Sequence, residues 1–191
     1  MTSARPTSSP TPDPLCFDQR LVAPEGSSDA CLYLIGEAPG GKEAELGRPF
    51  VGPAGEALRD MMRTAGIDFA RVRLANAIPY RPIERSTRVR VRNRTPTRAE
   101  LCTYGQAVLS DVLAVKPAVI CAFGKSAATL FGIAAEINTA RKRSFRFQGM
   151  PVRVTYHPSY VLRFGGKGST LWKSAGRDLK RCWLQAQAAR V

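Results

Sequence analysis

A chain of 191 residues with 44% hydrophobic residues has the size and composition of one globular domain with a sizeable core. It holds no apolar run near the roughly 20 residues of a membrane helix, and its first residues, MTSARPTSSPTPDP, lack the apolar stretch of a secretory signal. A net charge of +14 asks for a polyanionic partner, nucleic acid first; basicity for solubility is the bland alternative.

Residues 1–14 are rich in Ser, Thr and Pro and read as a disordered tail, leaving 15–191 as a single domain. For Leu15 to Ser28 the expectation is a small helix packed on the sheet. Cys31 to Ile35 is apolar throughout and is the first buried strand. It delivers a glycine-rich loop, Gly36 to Gly41, followed by a second loop from Gly47 to Gly52. Pro53 to Ala65 carries Ala57, Leu58, Met61 and Met62 at helical spacing, with Pro53 in the first turn and Gly66 as the stop.

Arg71 to Ala77 reads as the second strand, ending at Asn76. Arg81 to Arg98 is a basic insertion in which Arg88, Arg90 and Arg92 alternate with Val89 and Val91. In extended chain that alternation puts the arginines on one face, a ribbon suited to DNA; a surface loop is the alternative. Thr97 to Val115 reads as one helix, opened by a capping box between Thr97 and Glu100. Ala118 to Phe123 is a third strand, Gly124 to Gly132 a short helix, and Arg141 to Phe147 a turn or edge strand. Pro151 to Tyr156 is the fourth strand, His157 follows it, and Leu171 to Ala189 is a last amphipathic helix. Strands alternating with helices predict a three-layer α/β/α sandwich with a central four-stranded parallel sheet.

Rival chemistries fail on spacing. Gly124-Lys125-Ser126 is half a phosphate loop, but Val119 stands where its first glycine belongs. The Gly36 loop lacks the dinucleotide glycine pattern. His157 is the sole histidine and has no nucleophile elbow. The five cysteines, Cys16, Cys31, Cys102, Cys121 and Cys182, are widely spaced, with no C-x-x-C pair and no clustered metal ligands. Their odd number points to a reducing cytoplasm.

Two stretches carry more. Gly36-Glu37-Ala38-Pro39-Gly40 leads to Gly47-Arg48-Pro49-Phe50-Val51-Gly52, and far downstream stands His157-Pro158-Ser159-Tyr160-Val161-Leu162-Arg163. They resemble the first and second motifs of the uracil-DNA glycosylase superfamily, above all its family 4 branch, whose members hold an iron–sulfur cluster. The resemblance spans roughly residues 30 to 185 and implies the same sandwich fold. It implies an enzyme that flips deoxyuridine out of DNA and hydrolyses its N-glycosidic bond, leaving an abasic site.

The roles it implies fall on named residues. His157 is the donor to uracil O2, where charge develops as the bond breaks. Asn76 reads uracil N3–H and O4 with its amide. Phe50 stacks on the base, and main-chain N–H groups of the Gly36 to Gly41 loop, those of Gly36 and Ala38 among them, hold uracil or a phosphate. Ala38 occupies the place of a water-positioning aspartate in another branch, so Glu37 is the nearest acid for that task. Glu43 shares the catalytic assignment or shapes the wall that rejects thymine. Leu162 and Arg163, on the loop after His157, fill the gap left by the flipped base and grip phosphate; an ordinary helix start is the alternative. Ser159, Arg88, Arg90 and Arg92 complete the expected DNA contacts.

Departures bear on the cofactor. Cys16 is followed by Phe17-Asp18-Gln19, so the family's N-terminal C-x-x-C is missing. Tyr80 stands in the place of another cluster cysteine, and Cys102 alone matches. One thiolate does not hold a cluster that takes four, so the expectation is an enzyme with no cofactor and no metal. One branch carries a histidine that bonds covalently to the abasic sugar; the comparable position here is about Asn93. The overall expectation is a monomeric cytoplasmic glycosylase working on the nucleoid, with no membrane association. A uracil- or DNA-binding protein of the same fold, or a glycosylase for another deaminated base, remain the alternatives.

Overall fold

In the computed structural model, which describes residues 11–13, 16–85 and 91–189, the strands are Phe17–Asp18 (β1), Glu25–Gly26 (β2), Leu32–Gly36 (β3), Val72–Asn76 (β4), Arg81–Arg85 (β5), Val91–Asn93 (β6), Val119–Phe123 (β7), Phe145–Phe147 (β8) and Met150–Thr155 (β9). The helices are Gly41–Leu46 (α1), Pro53–Ala65 (α2), Arg98–Tyr104 (α3), Gln106–Val115 (α4), Gly124–Leu130 (α5), Ile137–Ala140 (α6), Pro158–Phe164 (α7) and Thr170–Ala188 (α8).

The main sheet has six strands in the order β2-β4-β3-β7-β9-β8. Its centre, β4-β3-β7-β9, is parallel throughout, as the alternation of strands and helices requires. The short strands β2 and β8 add antiparallel edges. Every residue of β3 and β7 is buried, which is why these strands are apolar without alternation. Leu32 and Leu34 face one core with Leu58, Met62, Leu179 and Trp183 of α2 and α8. Tyr33 and Ile35 face the other, with Leu101, Val108, Val112 and Ala128 from α3, α4 and α5. Two cores on opposite faces of one sheet are the three layers.

The helix ends follow their chemistry. Pro53 opens α2, and Gly66 closes it in the left-handed region at φ 69°. At α3 the Glu100 N–H donates to Thr97 Oγ1 (3.2 Å) and the Thr97 N–H to Glu100 Oε2 (2.7 Å), the reciprocal cap expected there.

The structure corrects several expectations. The helix over Thr97 to Val115 breaks at Gly105 into α3 and α4; a Cβ there would overlap Leu101 O and the Leu130 side chain, so a glycine lets the corner close against α5. Leu15 to Ser28 holds no helix among its described residues. It holds β1, paired with β5, and β2, paired with β4. The two glycine-rich loops after β3 flank a short helix, α1. Leu162 and Arg163 lie on α7, not on a loop, because Pro158 at the first turn starts a helix immediately after His157.

The described residues of the basic insertion include two antiparallel strands, β5 and β6, which with β1 form a small separate sheet. Arg92 is exposed on β6, opposite Glu84. Arg88 and Arg90, also expected on this ribbon, lie outside the described residues. Of the expected tail, residues 11–13 are described, and they adjoin the domain: Gln19 Nε2 donates to Pro12 O (3.0 Å), and Asp13 O accepts from the N–H groups of Cys16 and Phe17. Among the described residues no helix is long and apolar enough to cross a membrane.

Candidate active site

A cleft of about 1140 Å³ opens at the C-terminal ends of the four parallel strands, where open α/β sheets place their ligands. Each strand delivers something to it. β3 ends at Gly36 and hands over Glu37 and Ala38, β4 ends in Asn76, β7 leads into Gly124, and β9 leads to His157.

Gly36 and Asn76 are neighbours in the β3–β4 register. A Cβ on Gly36 would lie 2.6 Å from Asn76 Oδ1 and 2.8 Å from Phe50 Cζ. Glycine is therefore what allows the amide and the ring to meet beneath the cleft. Asn76 is buried, and among the described residues its Nδ2 is the one buried side-chain polar atom with no hydrogen-bond partner. Leaving such a donor unmet costs about 1–3 kcal/mol, a cost that a ligand acceptor would relieve.

Phe50 is buried yet sits at φ 55°, a backbone region unfavourable to a bulky side chain. Arg59 holds it there by donating to its carbonyl. Gly55 is required beside it, since a Cβ at that position would overlap the Phe50 carbonyl. The ring packs edge-on against Phe123 (6.1 Å between centroids) and lies 6.5 Å from the His157 ring, within 23° of parallel.

His157 caps α7. The Ser159 N–H donates to its Nδ1 (3.2 Å), and the Ser159 hydroxyl lies 2.7 Å from the same nitrogen. A nitrogen that accepts from a backbone amide carries no proton, so the neutral ring carries it on Nε2. One edge of His157 stays open to the cleft, but burial of the ring pushes its pKa down to about 4. Gly124, at φ +80°, passes so close that a Cβ would sit 3.2 Å from His157 Cβ.

The two acids of the first motif part ways. Glu37 Oε2 accepts from the Ser126 hydroxyl (2.6 Å) on α5. The half phosphate loop thus supplies an orienting hydroxyl. Glu43, on α1, accepts from the Gly52 N–H (2.8 Å), and its carboxylate lies where Cβ atoms on Gly40 and Gly52 would crowd it. It pins the two glycine-rich turns together.

Ala38, Ser159, Leu162 and Arg163 also line the cleft. Arg92 stands outside it. Residues not singled out from sequence complete the wall: Ser126 braces Glu37 from beneath, while Asn138, Tyr156, Tyr160 and Phe164 border the opening. The four-residue spacing of Tyr156, Tyr160 and Phe164 was the available signal. Asn93 lines the cleft opposite, its Oδ1 accepting from Arg81 Nε (2.6 Å).

Fold and cleft together define a three-layer α/β domain whose strand-end cleft sets an unmet buried amide beside an aromatic ring. The uracil DNA glycosylase superfamily model matches residues 23–186, and the chain belongs to that superfamily. It is 34% identical over 146 residues to a type-4 uracil-DNA glycosylase of Thermotoga maritima, covering 75% of this chain and 72% of that one. A type-4 uracil-DNA glycosylase of Pyrobaculum aerophilum is 32% identical over 156 residues, covering 77% and 76%. The crystal structure of wild-type SMUG2 from Pedobacter heparinus shares the fold, with a TM-score of 0.56 at 12% identity over 85% of this chain and 76% of that one.

Proposed function

We propose that this protein is a monofunctional uracil-DNA glycosylase that works by base flipping and leaves an abasic site in base excision repair. The observation that carries the reading is Asn76: a buried amide at a strand end, its Nδ2 unmet, beside a buried ring and a neutral imidazole. Uracil O4 accepts from Nδ2, uracil N3–H donates to Oδ1, and Phe50 covers the face of the base. A base without that donor and acceptor pair leaves the amide unsatisfied, and a site of this kind rejects it strongly.

His157 acts on the leaving group. As the bond from C1′ to uracil N1 lengthens, its electron pair passes to uracil, and negative charge gathers on O2. The Nε2–H of the neutral ring donates there, in a site partly closed to water. Because the ring is neutral well below pH 6, it stabilises the uracil anion without needing to be protonated first. Glu37, fixed by Ser126, orients the water that adds to C1′ and offsets the positive charge on the sugar. Glu43 holds the loop geometry against Gly52. Leu162, Ser159 and Arg163 of α7 meet the DNA around the vacated position, and the arginines expected to face DNA, Arg88, Arg90 and Arg92, add phosphate contacts.

The reading includes a protein with no iron–sulfur cluster. Its support lies where the cluster cysteines would be. The Tyr80 ring packs edge-on against Tyr104 (5.9 Å), and Tyr104 packs against Phe17 (5.1 Å). Among the described residues no group of three or more His, Cys, Asp or Glu is placed to hold a metal. The donor set does not fit a cluster, and no catalytic step runs through one. All five cysteines are unbridged, in keeping with a reducing cytoplasm.

The test is a single-turnover assay of free base from oligonucleotides bearing uracil, hypoxanthine or xanthine. Release of uracil well ahead of the purines is the expected result. Tight binding without release would convert the reading to a uracil-DNA binding protein.

A further inference from the structure

A second groove lies between α2 and α8. It encloses about 550 Å³ and shares no lining residue with the active-site cleft. Met61 and Ala65 of α2 form one wall, and both are buried. Trp172, Gly176 and Lys180 follow one another along α8 at four-residue steps and form the other wall. Trp172 is half-buried, so part of its ring faces the groove.

Gly176 is out of place in its helix. It stands inside the 19 residues of α8, where glycine is a poorer helix former than any residue but proline. A glycine in a helix interior is usually explained by something packed close against it. Gly55 and Gly105 have that explanation, because a Cβ at either would overlap its neighbours. At Gly176 no atom of the described residues lies within 4 Å of where a Cβ would be. An alanine fits there and favours the helix, so the space over Gly176 is open to a visitor from outside the fold.

The rim of the groove is cationic. Lys173, Arg177 and Lys180 line it and are exposed, and among the described residues none of the three is in an ion pair. Asp60 of α2 is already bound by Arg63 and Lys167 (2.7 Å each), and Asp178 of α8 by Arg141 (2.6 Å). An apolar trough between unanswered cations asks for a ligand that is acidic and carries an apolar side chain. A second copy of this chain brings a charge of +14 to the same place, and its own first 14 residues carry one Arg against one Asp, so neither is acidic. A DNA backbone would answer the cations and leave the trough empty.

We propose that the groove between α2 and α8 docks an acidic peptide segment of a partner protein, with one apolar side chain set over Gly176 and carboxylates on Lys173, Arg177 and Lys180. The groove and the active-site cleft have separate walls, so the partner is held while the cleft is free for its own ligand.

The probes are short fluorescein-labelled peptides of Asp and Glu with a single central Leu or Phe, titrated into the full chain and followed by anisotropy. Both should bind, more weakly as salt rises. The same peptide with a central Ser should bind about 10-fold more weakly, having lost its apolar anchor. Gly176→Leu fills the groove from an open position and should weaken the Leu peptide by about 10-fold or more. Lys173→Ala and Lys180→Ala should each weaken it by about 2- to 5-fold. Gly176→Ala should raise the melting temperature by about 2–4 °C and still weaken the peptide, a pairing that loss of folding does not produce. Uracil release and DNA binding should be the same in all four variants as in the wild type. Absence of binding by both peptides at low salt would overturn the proposal, as would affinity indifferent to Gly176→Leu. Variants that weaken DNA binding and not peptide binding would assign the face to DNA and overturn it too.

Discussion

Arg94 and Asn76 border the same cleft, and the protein treats their polar atoms in opposite ways. Arg94 belongs to the small sheet. Its Nη1 and Nη2 donate to the two oxygens of Glu100 (2.7 and 2.5 Å), Nη2 also to Cys16 O (3.2 Å) and Nε to Ile83 O (3.2 Å), and its guanidinium lies over the Phe17 ring. Glu100 in turn caps α3, and its pairing with Arg94 holds its carboxyl below the usual carboxylate range. Asn76, at the end of β4, has an unmet donor, and Phe50 beside it is held at a strained φ. The wall is satisfied and the floor is not. On the proposed reading the difference marks where binding energy is reserved: the wall stabilises the fold, while the floor would gain its one missing partner from a bound base.

The sharpest way to break this contrast is His157→Ala. It should lower the single-turnover rate by about 10²-fold or more, as for the loss of one donor at a developing oxyanion; a near-normal rate in a folded variant would take His157 out of the chemistry. In the wild type the rate should show no inflection near pH 6.5, because burial lowers the His157 pKa to about 4 and the ring does not titrate there. The same shift has a sign for stability. A depressed folded pKa means that the unfolded chain binds the proton first. The contribution is full above about pH 6.5 and is lost as pH falls toward 4, so thermal melts across that window should show a decline that His157→Ala reduces.

Asn76→Ala should slow uracil release by roughly 10- to 100-fold, the value of one or two hydrogen bonds to the base. Its melting temperature should hardly fall, because the Nδ2 removed had no partner. A large fall would mean that the amide serves the fold after all. Arg94→Ala should do the reverse, destabilising by about 2–3 kcal/mol by stranding Glu100 and opening the wall; denaturant titration measures it. Arg92→Ala should have the smallest effect, reducing the salt slope of DNA binding by about one. An unchanged slope would turn the ribbon away from DNA.

Much of this was legible in the chain. Apolar runs without alternation announced β3 and β7, and Glu37, Asn76 and His157, at or just past strand ends, line one cleft because parallel strands share a C-terminal edge. What escaped is nonlocal. β1 and β2 are two residues each, too short for any periodicity, and exist only through partners far along the chain. The break at Gly105 is set by the approach of Leu130, which no local pattern encodes. The brace from Ser126 to Glu37 joins residues that only the β3–β7 pairing brings near. Tyr156, Tyr160 and Phe164 did leave a trace in their spacing, and the helix that carries the last two starts at Pro158, the alternative weighed for that stretch.

The order of strands in the sheet also sets the order in which the enzyme comes into being. β3 and β4 can pair once Asn76 has emerged from the ribosome, and β7 then adds to the free side of β3. β9 comes last of the parallel four, with His157 just beyond it and α8 later still. At about 5–20 residues per second of synthesis, roughly ten seconds separate the emergence of Asn76 from that of His157. A nascent chain therefore carries Asn76 well before it carries His157, and any message cut short before Thr155 yields a fragment without the proposed donor to the leaving base.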